Sequence, residues 1–181
     1  MATSSAATEL WETIASEAAR ESRLWGEALR PEGVREAEPV FSPLGDPRFA
    51  LGLETIYEGY LLHYGRPRLF APADADTALL LGDYLYAHGL VRVSEAGSVE
   101  AVADLAALIS LCAQLRAERD GPGDAYAWAA SAALLGQGRL EEARAALRDN
   151  GDPAPLERLA RDACGGDAVG RALAAHAGRV E

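Results

Sequence analysis

Apolar residues recur along this chain at helical spacing and nowhere alternate convincingly with the period of a strand, which predicts an all-α protein. The most continuous run is Thr77-Ala-Leu-Leu-Leu-Gly-Asp-Tyr-Leu-Tyr-Ala-His-Gly-Leu-Val91. It is apolar around most of a helical circumference, so a helix over about residues 75–92 is expected inside the protein. The predicted fold is a single helical bundle around this central apolar helix, with a C-terminal helical hairpin. Gly82 sacrifices about 1 kcal/mol of helix propensity, which is understandable where another helix packs close against it. Asp83 follows directly, and an enclosed carboxylate needs a partner.

A first helix is predicted over about 9–29, capped by Thr8 or Ser5, with Leu10, Ile14, Ala18, Leu24 and Trp25 on its apolar side. Pro31 ends it. The proline-rich stretch 31–47 is either a linker or a strap packing by Val40 and Phe41. A second helix, over about 47–64, presents Phe49, Leu53, Ile56, Tyr57, Tyr60 and Leu61 as a broad apolar face, with Glu54 and Glu58 four residues apart on one side. Asp74 or Asp76 caps the helix over 75–92, and Ser98 caps the next, over about 99–119. Beyond the breaker at 120–124, segments 125–135 and 140–147 form a hairpin that turns at Gly136 and Gly138. Two short helices, over about 155–163 and 168–177, follow it. Residues 1–120 then form a helical core domain, and 121–181 a C-terminal extension packed on the same core.

A length of 181 residues suits one well-cored domain. Its charge is lopsided: 28 acidic against 17 basic residues, no Lys, and a net charge of −11. Such a surface repels nucleic acid and anionic lipid, so neither is expected as a partner. Cys112 and Cys164 stand far apart without metal-ligand spacing, which fits buried thiols in a reducing compartment. No secretory leader and no membrane-length apolar run is read, so a cytoplasmic location is expected.

Several groupings could carry chemistry. Glu54, Glu58, His63, Asp83 and His88 could assemble a carboxylate–histidine metal cluster, yet the Glu-x-x-His spacing of di-iron bundles is missing. Solvated or capped carboxylates beside a helix-end histidine are the plainer expectation. Asp74 and Asp76 could bind Mg²⁺, but they stand where a helix start favours acids. Arg66 and Arg68, flanking Pro67, could clamp a phosphate. No phosphate-loop, dinucleotide or nucleophile-elbow motif occurs, and the scattered His residues specify no triad. The segment 138–147 has the pattern of the second half of a tetratricopeptide unit, but a single copy reads as an ordinary helical hairpin.

At Leu79-Leu-Leu-Gly-Asp-Tyr-Leu-Tyr-Ala87 followed by Ala103-Asp-Leu-Ala-Ala-Leu-Ile109, the chain resembles the all-α polyprenyl (isoprenoid) diphosphate synthases. The likeness covers roughly residues 56–116 and is nearest to the small non-catalytic subunit of two-component heptaprenyl-type synthases. Catalytic members hold Mg²⁺ and an allylic diphosphate on aspartate-rich motifs. Here Leu61-Leu-His-Tyr-Gly-Arg66 lacks an aspartate pair, and no D-D-x-x-D occurs later. The resemblance therefore implies no catalysis by this chain alone, no cofactor of its own, and Mg²⁺ only through a catalytic partner. It implies pairing with a catalytic prenyl synthase subunit or self-association. Gly82, Asp83 and Tyr84 carry over as core and interface-orienting positions. An apolar stripe for such pairing is expected on the Tyr57, Tyr60, Tyr64 ridge or at Tyr84 with Leu85. Glu58, His63, Arg66 and Arg68 complete the set of interface or structural candidates. A helical adaptor unrelated to isoprenoids, using the C-terminal hairpin as its contact surface, and a small metal protein built on Glu54, Glu58 and Asp83 are the alternatives.

Overall fold

The computed structural model describes residues 2–118 and 123–180, so most of the predicted breaker at 120–124 lies outside the described residues. Among the described residues the chain forms helices and no strand: α1 (Ala2–Glu21), α2 (Arg23–Glu27), α3 (Ala50–Tyr64), α4 (Ala75–Glu95), α5 (Val99–Glu118), α6 (Gly123–Ala133), α7 (Glu141–Asn150), α8 (Ala154–Cys164) and α9 (Gly166–Ala177). Leu29 and Phe70 make an isolated antiparallel bridge.

The segment read as one helix over 9–29 is two. Ser22 takes an extended conformation and its hydroxyl accepts from the Leu24 amide at 3.2 Å, so the side chain caps α2 instead of continuing α1. Helix α1 starts before Ser5 and Thr8, which lie within it rather than capping it. Downstream, the caps fall where acids and hydroxyls stand. Asp74 accepts from the Thr77 amide at 2.7 Å, and Ser98 from the Ala101 amide at 3.1 Å. The stretch 31–47 is a strap, with Val40, Phe41 and Leu44 buried.

Helix α3 is the enclosed element, for every residue from Gly52 to Leu62 is buried. Helix α4 crosses it in the antiparallel sense along a seam of glycines, Gly52 opposite Gly89 and Gly59 opposite Gly82. A Cβ on Gly59 would stand 2.9 Å from the Gly82 carbonyl oxygen, and one on Gly89 3.0 Å from that of Gly52. A Cβ on Gly82 would stand 2.6 Å from His63 Nε2, which gives the close approach expected at that position. Helix α4 is nevertheless covered on one side only. Thr77, Leu81, Gly82, Leu85, Gly89 and Val93 are buried, while Leu79, Leu80, Asp83 and Val91 face outward. The expectation that Asp83 is enclosed is therefore corrected. The glycine seam brings α4 into close contact with α3 without neighbours on its far side.

One core cluster runs from the strap through Tyr57 and Tyr60 to Trp128 on α6, Leu156 on α8 and Val169 on α9. A smaller cluster under α1 joins Trp11, Ile14 and Ala18 to Leu62, Phe70, Leu81 and Leu85. The hairpin turn is made by Gly136 and Gly138, both at positive φ, as only glycine adopts readily. Helix α7 is anchored to α5 by Arg144, which donates to the Asp104 carboxylate and its carbonyl, both at 2.9 Å.

Candidate functional site

Three candidates meet where no solvent reaches. Glu54, Glu58 and Arg68 are essentially fully buried. The carboxylates are not solvated as the sequence suggests, and Arg68, in the loop between α3 and α4, is turned inward onto them. Arg68 Nε donates to Glu58 at 2.9 Å and its Nη1 to Glu54 at 2.6 Å, while the guanidinium lies 4.4 Å from the Trp11 ring centroid. Glu58 also accepts from the amides of Arg68 and Leu69, at 2.8 and 2.7 Å. Glu54 accepts from the amides of Val40 and Ser42, at 3.3 and 3.1 Å. These contacts fasten the strap and the 66–70 segment to α3. With both carboxylates committed to Arg68 and to backbone amides, a metal ion has no ligands to take there. Arg66 belongs elsewhere: it donates to Glu36 at 2.5 Å, and its amide donates to the Arg179 carbonyl at 2.7 Å. The two arginines do not converge on a phosphate site.

Tyr57 and Tyr60 are also interior, so they form no exposed ridge. The Tyr57 hydroxyl lies 2.9 Å from His176 Nδ1, and the Tyr60 hydroxyl donates to Asp124. Arg116 donates to both, to Asp124 at 2.8 Å and to Tyr60 at 2.6 Å. Burial alone would push the Asp124 carboxyl up, but His176, Tyr60 and Arg116 around it prevail and hold it down at about 2. Burial pushes both tyrosines well above their ordinary range. Sequence reasoning missed Arg116, Asp124 and His176. Asp124 follows a Gly-Pro-Gly run and so read as a turn residue, and nothing local links it to positions 60 and 176. The cluster ties α9 to α3, α5 and α6, and within it His176 Nε2 stands 3.8 Å from Asp124 without a hydrogen-bond partner.

Tyr84 is half-buried, 6.0 Å from Trp25 and stacked 5.4 Å from His88, and Leu85 is interior, so the exposed stripe is not theirs. It lies on the other side of α4, where Leu79, Leu80 and Val91 are 53%, 56% and 52% exposed. Helix α5 continues the theme with Val99, Ala103, Ala106, Ser110 and Ala113 turned to solvent. Between Thr77 and Val91 the one charged residue is Asp83, with its side chain 66% exposed. Between Ala101 and Leu115 it is Asp104, which is buried on Arg144. His63 stands behind Asp83, with its side chain 9% exposed and its ring stacked on Tyr86 at 5.0 Å. Its Nε2 is 3.2 Å from an Asp83 oxygen and has no other partner. Burial pushes the His63 pKa down, and Asp83 opposes that without overcoming it.

Among the described residues, no group of three or more His, Cys, Asp and Glu side chains could hold a metal ion, and no helix is long and apolar enough to cross a membrane. Cys112 is buried and free. Cys164 is only half-buried, a departure from the expected pair of buried thiols, with its Sγ 3.1 Å from the Leu44 carbonyl. Comparison with protein-family models, with characterised proteins and with solved structures finds no match to this chain.

Proposed function

We propose that the chain is a non-catalytic helical subunit that pairs with a catalytic polyprenyl diphosphate synthase subunit through the outward faces of α4 and α5. The observation that carries this reading is the exposed surface over residues 77–91 and 101–115 of these two helices, which bears Asp83 as its one exposed charge in a protein of net charge −11. Exposed apolar area of this kind is what a partner covers. The face lies on the same stretches, 79–87 and 103–109, that resemble the synthases. The C-terminal hairpin offers no comparable surface, because α7 turns Glu141, Glu142, Asp149 and Asn150 to solvent.

Site-specific photocrosslinking in cells of the native host tests the reading, with the crosslinker at position 80 and a control at position 149. The expected product at position 80 is a protein carrying intact aspartate-rich diphosphate motifs, and Ala106→Arg is expected to reduce its yield about tenfold. A product at position 149 alone would favour the adaptor reading. Capture at position 80 of a protein without those motifs would overturn the synthase assignment. Deleting the C-terminal helices is not a clean test, since Trp128, Leu156 and Val169 belong to the main core.

A further inference from the structure

Resting on the pairing proposed above, we infer that Asp83 selects the partner: the α4–α5 face takes a heterologous helical surface that sets a cationic side chain against Asp83, and refuses a second copy of this chain. Asp83 is the sole exposed charge on the two spans that make the face, flanked on α4 by Leu79, Leu80 and Ala87. In the described chain its carboxylate meets only His63, whose buried Nε2 stands 3.2 Å from Oδ1. Oδ1 has the His63 contact alone, and Oδ2 has no hydrogen-bond partner among the described residues, so the carboxylate has room for an incoming group. Covering a carboxylate with apolar surface alone costs several kcal/mol, whereas a guanidinium or ammonium group offsets that loss, and a guanidinium can fork onto both oxygens.

A second copy cannot supply that group. Symmetric pairing sets a patch against itself, so two Asp83 carboxylates would enter one uncharged interface. Residues 77–91 and 101–115 contain no Lys or Arg to meet them, and the arginines just beyond, Arg92 and Arg116, are paired with Glu17 and Asp124. Like charges enclosed together are strongly unfavourable, and two chains of net charge −11 repel at long range as well. The position thus works as a discriminator, disfavouring self-pairing while leaving a complementary partner free to bind.

Sedimentation equilibrium of the purified chain gives the first arm of the test. The wild type is expected to stay monomeric, Asp83→Leu to self-associate at least about tenfold more tightly, and Leu80→Arg added to Asp83→Leu to restore the monomer. A wild-type dimer that Leu80→Arg dissociates would overturn the inference, as would an Asp83→Leu chain that remains monomeric. Circular dichroism of each variant checks that the exposed changes leave the helices intact.

The second arm uses the protein crosslinked through position 80. Asp83→Arg is expected to lower the crosslink yield about tenfold and Asp83→Asn by less, with Arg or Lys in the partner peptide that carries the crosslink. An unchanged yield with Asp83→Arg removes the selector and leaves the pairing standing. No crosslink at position 80 in the otherwise wild-type chain removes both.

Discussion

Arg68 carries a full charge at a position with no exposed surface, and both of its carboxylate partners are equally hidden. Removing one member of such a group strands the others, which typically costs about 3–5 kcal/mol. Arg68→Met is therefore expected to lower the urea midpoint sharply, and Arg68→Lys to recover only part of it, because an ammonium cannot span Glu54 and Glu58 as the fork does. Asp124 makes a pH-dependent contribution. Its carboxyl is held at about 2, below the usual 3.8, so the folded state releases the proton more readily than the unfolded chain. That stability is complete above about pH 4 and disappears as the pH falls toward about 2, a loss of about 2 kcal/mol. Urea midpoints measured between these limits should show the slope in the wild type and lose most of it in Asp124→Asn. The sequence made Asp74 and Ser98 legible because a cap is a local device. It could not reveal Arg68 or Asp124, whose partners lie 8 to 64 positions away.

The seam between α3 and α4 sets two effects against each other. Replacing a helical glycine by alanine gains about 1 kcal/mol of propensity, while forcing a side chain into a filled contact costs about 1–3 kcal/mol. At Gly59 the added Cβ meets backbone, the Gly82 carbonyl at 2.9 Å, which cannot rotate aside. Gly59→Ala is thus expected to destabilise the protein. Gly170, inside α9, would meet nothing within 4 Å, so Gly170→Ala is expected to stabilise it. Thermal melts of the two variants should move in opposite directions. Gly82 announced the close approach within one apolar run, but its counterparts are identified only when both helices are set side by side. The same limit explains the misplacement of Asp83. Periodicity shows that α4 is apolar nearly all round, and an apolar face awaiting a partner has the same pattern as one already buried.

At the scale of the molecule, the all-helical class and most segment boundaries followed from spacing and breakers, while the docking of α9 and Arg179 on α3 and the strap did not. His176 and Arg179 are buried against parts of the chain more than 100 residues earlier, His176 beside the Tyr57 hydroxyl and Arg179 on Glu36. A chain ending at residue 171 is expected to lose its cooperative thermal transition, because it leaves Tyr57, Asp124 and the core around Trp128 open to water. Differential scanning calorimetry of the shortened and full chains would show it.

The anchoring of Arg179 on Glu36 and on the Arg66 amide also has a bearing on biosynthesis. The main core cannot close until α9 has left the ribosome, so Tyr57 and Tyr60 stay uncovered on the side that His176 fills until then. Chaperone demand should therefore persist until α9 has emerged, and slowing the synthesis of α9 with rare codons should lower the yield of folded protein more than slowing that of α1.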